Sequence, residues 1–391
     1  MAKRWNNGNM ALSATKMSRL RSTHQLRAVE PLEALFSGLR SSLPSDGMAD
    51  NQPDNQPEVL SSGHRWDGPQ TLWRDRWLGP GLFPGATQPT HGFTTLVDSE
   101  AHELHVLFVT GDQVATKLEV RLASREGSDA EVDVTLELTA SALRAAGNEL
   151  FDESLPGRMQ EQLKRFGEQL RRLDSESLHG TLSTARPSAT PRASSDQSCT
   201  KRAEHVIELD QRNLVFDLND VFPLACPVAE LDWIDNWFFD LRHSDSGRNE
   251  EHCVFVEALS SPLVMADRAR TTWYTTLFDP QTRRFEAVLI VGDHILGKFD
   301  FAAEDLGGGR ARLGWSLSFT GRNDGGNRLV AEPGFRRRTG QMLELLARSI
   351  ERYLTTGKVY RPSLHQKASF VASRLHTRLR RLGSPAPAAR S

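Results

Sequence analysis

The chain carries one segment twice. Residues 91–139 lie against residues 272–320 without a gap, at a constant offset of 181. His91-Gly92-Phe93-Thr94-Thr95-Leu96-Val97-Asp98 faces Thr272-Trp273-Tyr274-Thr275-Thr276-Leu277-Phe278-Asp279. Gly111-Asp112 meets Gly292-Asp293, Lys117 meets Lys298, and Leu136 and Thr139 meet Leu317 and Thr320. Eleven of the 49 positions are identical. Most of the others keep apolar opposite apolar. An internal repeat of this length fixes an architecture of two like units before any single motif is considered.

A chain of 391 residues has room for two such units with tails. Residues 1–57 show little periodicity and are expected to be largely disordered, apart from a possible short helix over Arg27–Leu43. The reduced first unit is then expected at 58–178, a disordered Ser/Thr/Ala/Pro linker at 179–203, the complete second unit at 204–357, and a basic tail at 358–391. That tail holds eight Lys and Arg and no Asp or Glu. A net charge of −2 gives no overall DNA-binding footprint. No stretch approaches the roughly 18 apolar residues of a membrane span. Three cysteines (Cys199, Cys226, Cys253) have no metal-ligand spacing, so no metal or cofactor is expected and a reduced, cytoplasmic setting is.

In the second unit, strand patterns run over Val206–Phe216, Cys253–Leu259, Thr271–Phe278, Arg284–Val291, His294–Ala303 and Arg310–Thr320. Tight turns such as Gly292-Asp293 separate several of them. Short helices suit Val221–Trp237. Apolar residues from Met342 to Leu354 then recur at helical spacing, with Gly357 as a stop. The first unit shows Phe93–Val97, Leu104–Val109, Val114–Ala123 and Val132–Leu138, then a helix through Met159 and Leu170. Val59–Arg65 would be its first strand and Pro69–Arg76 its short helix. Trp73 and Trp77 match Trp233 and Trp237 at an offset of 160, which predicts a hairpin lost or shortened in the first unit.

Strand, small helices, a run of antiparallel strands and a long final helix is the order of the START-like helix-grip (SRPBCC, Bet v 1-like) superfamily. The second unit resembles bacterial members of it through Phe222-Pro223-Leu224-Ala225-Cys226-Pro227-Val228, Asp232–Trp237 and Trp315–Gly321. The resemblance implies an α+β fold of two tandem helix-grip domains, each a curved antiparallel sheet wrapped on a long C-terminal helix, the first reduced. It also implies an apolar cavity between sheet and helix. Gly297 and Gly314 suit the bends of such a sheet.

Strand alternation and helical spacing nominate cavity-lining residues: Trp237, Phe255, Trp273, Thr275, Leu277, Leu289, Phe299, Trp315, Leu317, Phe319, Leu346 and Ile350. A solid core is the alternative for each. No catalytic residue is assigned. His243–Gly247 reads as a loop, His252-Cys253 as a strand start with a structural thiol, and His294 as a turn residue. Lys117 and Lys298 should point to the outer sheet face, and Arg336–Arg338 away from the helix's apolar stripe.

The leading expectation is a non-enzymatic protein that binds or transports a hydrophobic small molecule, a lipid or polyketide-like aromatic, in the second domain. A polyketide aromatase/cyclase-type enzyme is the alternative; it would need polar groups such as His294, Arg270 or Tyr274 inside the cavity. A protein-interaction module is the third. The two domains could also pack on each other.

Overall fold

The computed structural model describes residues 19–28, 36, 58–61, 72–75, 78–125, 132–143, 150–178, 201–224, 227–234, 239–247, 249–257 and 271–361. Two antiparallel sheets of seven strands make up the frame. The first contains β1 (Arg19–Ala28), β2 (Glu58–Ser61), β3 (Leu72–Asp75), β4 (Thr90–Asp98), β5 (Glu103–Thr110), β6 (Val114–Ser124) and β7 (Val132–Ala142), in the order β1-β7-β6-β5-β4-β3-β2. The second contains β8 (Lys201–Asp210), β9 (Phe239–His243), β10 (Val254–Glu257), β11 (Thr271–Asp279), β12 (Arg284–Val291), β13 (Ile295–Gly307) and β14 (Arg310–Gly321), in the order β8-β14-β13-β12-β11-β10-β9. The two orders are the same, so the helix-grip arrangement occurs twice.

A short helix α1 (Leu78–Leu82) and a long one, α2 (Leu155–Leu178), belong to the first half. The second half has α3 (Val221–Leu224), α4 (Pro227–Trp233), α5 (Asp324–Ala331) and the long α6 (Pro333–Thr356). Pro333 opens α6, where its missing N–H costs nothing, and Gly357 closes it in the left-handed region at φ 65°. The stripe Phe335, Met342, Leu343, Ala347, Ile350 and Leu354 is buried against the inner sheet face. No described helix is long and apolar enough to cross a membrane.

Several expectations need correction. The first sheet begins at Arg19, inside the segment read as disordered, and all ten residues of β1 pair with β7. Alternation there is masked by Arg, Ser, Thr and His on an edge strand, which is why periodicity missed it. The rest of the expected Arg27–Leu43 helix, Phe36 apart, lies outside the described residues, as do the linker at 179–200 and the tail beyond 361. The missing hairpin is not missing: β2 and β3 stand where β9 and β10 stand. The Trp match misled, because Trp73 lies in a strand and Trp233 in a helix. Trp73 sits opposite Gly92, and Phe255 sits opposite Trp273. Gly92 and Trp273 differ by the repeat's own 181, so Trp73 corresponds to Phe255. The strand expected at Val206–Phe216 instead ends at Asp210, whose carboxylate caps a short 3₁₀ turn at Gln211–Asn213.

Each sheet has an inner face on its helix and an outer face on the other sheet. The outer faces share one apolar cluster that includes Phe93, Leu107, Val109 and Ala115 from the first half and Tyr274, Val288, Ile290 and Leu296 from the second. These four pairs are all 181 apart, so the halves meet about a pseudo-twofold axis. Buried charges follow the same rule. The Lys117 ammonium donates to the Thr276 carbonyl at 2.7 Å, and Lys298 donates to the Thr95 carbonyl at 3.0 Å. Both lysines do leave the inner face as expected, yet the outer face is an interface rather than a solvated surface.

The receiving carbonyls are free because β4 and β11 each carry one extra residue. The ladder skips between Thr94 and Leu96, and between Thr275 and Leu277. A bulge of this kind leaves a backbone group unpaired, and the other half's lysine takes it. Lys298 also meets Glu286 at 3.1 Å and Asp300 at 2.9 Å, while Lys117 is paired with Glu119 and Glu251. Burial disfavours the Lys298 cation, but Asp300 and Glu286 outweigh it and raise its pKa.

Arg322 sits close to the axis. It is buried, and one of its nitrogens donates to the carbonyls of Gly111 (2.9 Å) and Gly292 (3.3 Å). Those glycines are again 181 apart, each at a turn with positive φ. Its other nitrogens reach His91 Nδ1 at 3.1–3.3 Å, so that ring nitrogen accepts. Burial lowers the guanidinium pKa to about 10 against the favourable fields of Asp293 and Asp112.

Candidate functional site

The inner face of the second sheet is the candidate site. It differs from the first in chemistry. The first core is mostly Leu and Val, whereas the second is a continuous run of aromatic rings. Phe255 stacks on Trp273 at 5.5 Å and 13°. Trp273 meets Phe299 edge-on at 5.7 Å, Phe299 meets Phe285 at 5.8 Å, and Phe278 joins Phe285 to Phe222. Further along, Phe301 packs on Trp315 and Phe319 on Phe335. Offset and edge contacts of this kind add about 0.5–1.5 kcal/mol per pair beyond area burial.

Most expected cavity residues are in this core. Phe255, Trp273, Leu289, Phe299, Trp315, Leu317, Phe319 and Ile350 are buried in one cluster, with Leu346 half-buried against it. Thr275 is buried on the same face, and its hydroxyl donates to Asn249 at 2.8 Å. Trp237 lies outside the described residues. Leu277 is a correction. The extra residue Thr276 reverses the alternation, so Leu277 pairs with Glu286 on the outer face and Phe278 pairs with Phe285 on the inner one. Strict period-two counting from Trp273 fails at any bulge.

Two acidic side chains on the inner face escaped the sequence reading. Glu257 shares the parity of Phe255 on β10 and is buried; the Trp273 indole N–H donates to it at 3.2 Å. Glu230 on α4 is three residues before the buried Trp233, hence on the same helix face. Glu230 is partly buried. Burial, together with repulsion from Glu257, raises its pKa well above the usual carboxylate range. A third polar group is Thr271, directly opposite Glu257 in the ladder; it is fully buried, and its hydroxyl has no partner. The parity of Phe255 was the available signal for Glu257. Nothing in the local pattern marked Glu230, whose surroundings come from a distant strand.

The groups named for a cyclase fall elsewhere. Tyr274 faces the other half, with its hydroxyl 2.8 Å from His252 Nδ1. His294 is exposed at its turn beside Asp293 and Asn323. Arg270 lies outside the described residues. His252 is engaged with Tyr274, and Cys253 is a buried thiol outside any disulfide. In the loop, Ser244 donates to Glu250 at 2.7 Å while His243 lies 3.6 Å from Asp245. Arg338 corrects another expectation: it lies on the buried stripe of α6 and pairs with Glu332 at 3.1 Å, whereas Arg336 and Arg337 are exposed.

His105, Glu119 and Glu251 at the domain boundary have the donor types and proximity of a metal set. The cation among them is the Lys117 ammonium, paired with both glutamates. His105 meanwhile contacts Glu103 at 2.7 Å.

No protein-family description and no curated protein matches the sequence. Among solved structures, the di-domain aromatase/cyclase BexL from the BE-7585A biosynthetic pathway is 12% identical, covering 88% of this chain and all of its own, with a TM-score of 0.31. The di-domain aromatase/cyclase StfQ from the steffimycin biosynthetic pathway is 10% identical over 93% of this chain and all of its own, TM-score 0.28. The ZhuI aromatase/cyclase from Streptomyces sp. R1128 is 15% identical, over 41% of this chain and 96% of its own, TM-score 0.29. Likenesses at these values carry no weight for ligand or reaction.

Proposed function

We propose that the second domain binds a hydrophobic small molecule, aromatic or lipid-like, between its sheet and α6. The first domain would serve as scaffold, covering the outer face of the second sheet and bracing it through Lys117. The observation that carries this reading is the pairing of an aromatic inner wall with two polar groups, Glu230 and Thr271, that have no partner among the described residues. A purely structural core excludes such groups or satisfies them. The buried Cys253, in no disulfide, suits a reducing cytoplasmic setting. Native mass spectrometry of the full chain purified from its own host tests the reading. A co-purified hydrophobic mass is expected; an apo mass under gentle conditions counts against it.

An aromatase/cyclase-type activity is the second reading, favoured by one observation. Burial, and after it the charge of Glu257, raises the Glu230 pKa in an apolar interior, and a carboxyl group shifted this way near a second carboxylate suits an acid and a base at one site. Loss of water from a poly-β-ketone incubated with the protein, abolished in Glu257→Gln, would support it.

A further inference from the structure

The lysine contacts that dock the two halves come as a pair, whereas the Arg322 contact occurs once. The position 181 before Arg322 is Ser141, and the position 181 after His91 is Thr272. A buried arginine close to a pseudo-twofold axis fits only once, because its copy would claim the same space. Docking by the repeated lysines is therefore supplemented by one asymmetric contact, and that contact contains a histidine.

Arg322 follows the last residue of β14 and reaches into the first half. Two of its nitrogens lie 3.1 and 3.3 Å from His91 Nδ1, and a third donates to the Gly111 carbonyl at 2.9 Å. Both side chains are buried. A guanidinium only donates, so Nδ1 is the ring nitrogen without a proton and His91 is neutral in this arrangement. A carboxamide oxygen would accept the same bonds at any pH. Histidine is the acceptor that a proton removes near neutrality.

The charged groups around the pair set the sign. Asp293 and Asp112, in the two matching turns, favour the Arg322 charge; its pKa of about 10 keeps it a cation wherever histidine titrates. In the ladders, Arg74 of β3 and Val109 of β5 stand opposite His91. A proton on His91 thus removes the acceptor and sets a second cation against Arg322. The other histidines at the boundary behave differently. His105 contacts Glu103 and the half-exposed His294 lies 3.2 Å from Asp293, so a proton tightens those pairs. His252 is bonded to Tyr274.

We propose that His91 and Arg322 form a pH-sensitive latch between the halves, shut while the imidazole is neutral and released when His91 takes up a proton. The latch contributes stability above about pH 6.5, the ordinary histidine value, and loses it as pH falls. Release uncovers the outer face of the second sheet around Ile290 and Leu296, beside the Gly292 turn. Ligand binding by the second domain is not required for this.

Urea unfolding and small-angle scattering of the full-length chain, from about pH 8 to about pH 5, test the latch. His91→Asn is the reference, because its carboxamide oxygen replaces Nδ1 as acceptor and takes no proton in this range. Relative to that variant, the unfolding constant of the unaltered chain should rise by up to about tenfold per pH unit below about pH 6.5, the effect of one proton. Its radius of gyration should increase over the same interval, and that of His91→Asn should not. Parallel pH profiles overturn the inference. A steeper profile with an unchanged radius also overturns it, since the pair is then a buried contact that releases nothing. If His91→Asn does not fold, Arg322→Gln, which donates without a charge, becomes the reference for the same two measurements and the same outcomes.

Discussion

The Lys298 ammonium donates to the Thr95 carbonyl across the boundary between the halves, 3.0 Å away. Its counterpart 181 residues earlier, Lys117, makes the same contact with Thr276 at 2.7 Å. Each lysine enters the gap that a bulge opens in the other sheet. The conserved spacing of Thr-Thr and Lys in the two copies is therefore a docking device, used once in each direction.

Replacing Lys298 with Met should be costly. Asp300 would lose its cation and Glu286 would keep only the half-exposed Arg284, at 2.8 Å, and breaking a buried pair costs about 3–5 kcal/mol. Urea unfolding should show a lower midpoint and, if the halves uncouple, two transitions where the native chain has one. An unchanged midpoint would mean that water already screens this boundary.

Acid should loosen the same boundary. The hydrogen bond from His105 holds the Glu103 pKa near 2, and the Lys117 charge, overcoming burial, lowers that of Glu119 as well. Carboxylates with depressed folded pKa values contribute fully above their ordinary value of 4.5, and that contribution is lost as pH falls toward about 2. Small-angle scattering across this window should report an increase in radius of gyration on the acid side, suppressed in a Glu103→Gln, Glu119→Gln variant that starts out weaker at neutral pH.

The two glycines nominated for sheet bending should behave differently. A Cβ on Gly297 would lie 2.6 Å from the Phe319 ring and 3.2 Å from the Ser318 carbonyl. Gly297→Ala should therefore destabilise by about 1–3 kcal/mol, as overpacking does. On Gly314 the nearest atom would be Val206 Cγ2 at 3.9 Å, an ordinary contact. Gly314→Ala should change stability by less than about 1 kcal/mol. Thermal melts of the two variants side by side decide the point.

Glu230 should lower stability at neutral pH. Its folded pKa is raised, so the unfolded chain releases the proton near 4.5 while the folded chain keeps it. Stability then falls from that pH up to the folded value and stays low above it. Glu230→Gln should raise the melting temperature by a few degrees at pH 8, about 2–4 °C per kcal/mol for domains of this size, with no gain below pH 4.5. A gain that is the same at every pH would point to packing instead of charge.

Alternation and turn chemistry are local, so the sequence alone yielded β12 as Arg284–Val291, the tight Gly292 turn, the Gly357 stop, the tandem repeat and the α+β helix-grip order. It also placed Phe255, Trp273, Phe299 and Trp315 correctly on one inner face. Where a residue's role depended on a partner far along the chain, the sequence was silent or misleading. The bulge at Thr276 that turns Leu277 outward is stabilised by Lys117 from the other half. β1 is a strand because β7 offers it an edge, whatever its own polar pattern. Trp73 and Trp233 look alike in the sequence and occupy different elements. The acid at Glu230 owes its character first to burial and then to Glu257, on a strand 27 residues away. Periodicity records which face a side chain takes within its own element. What stands opposite that face, and so whether a lysine is solvated or a glutamate keeps its proton, was decided only when the two sheets and the helices closed on each other.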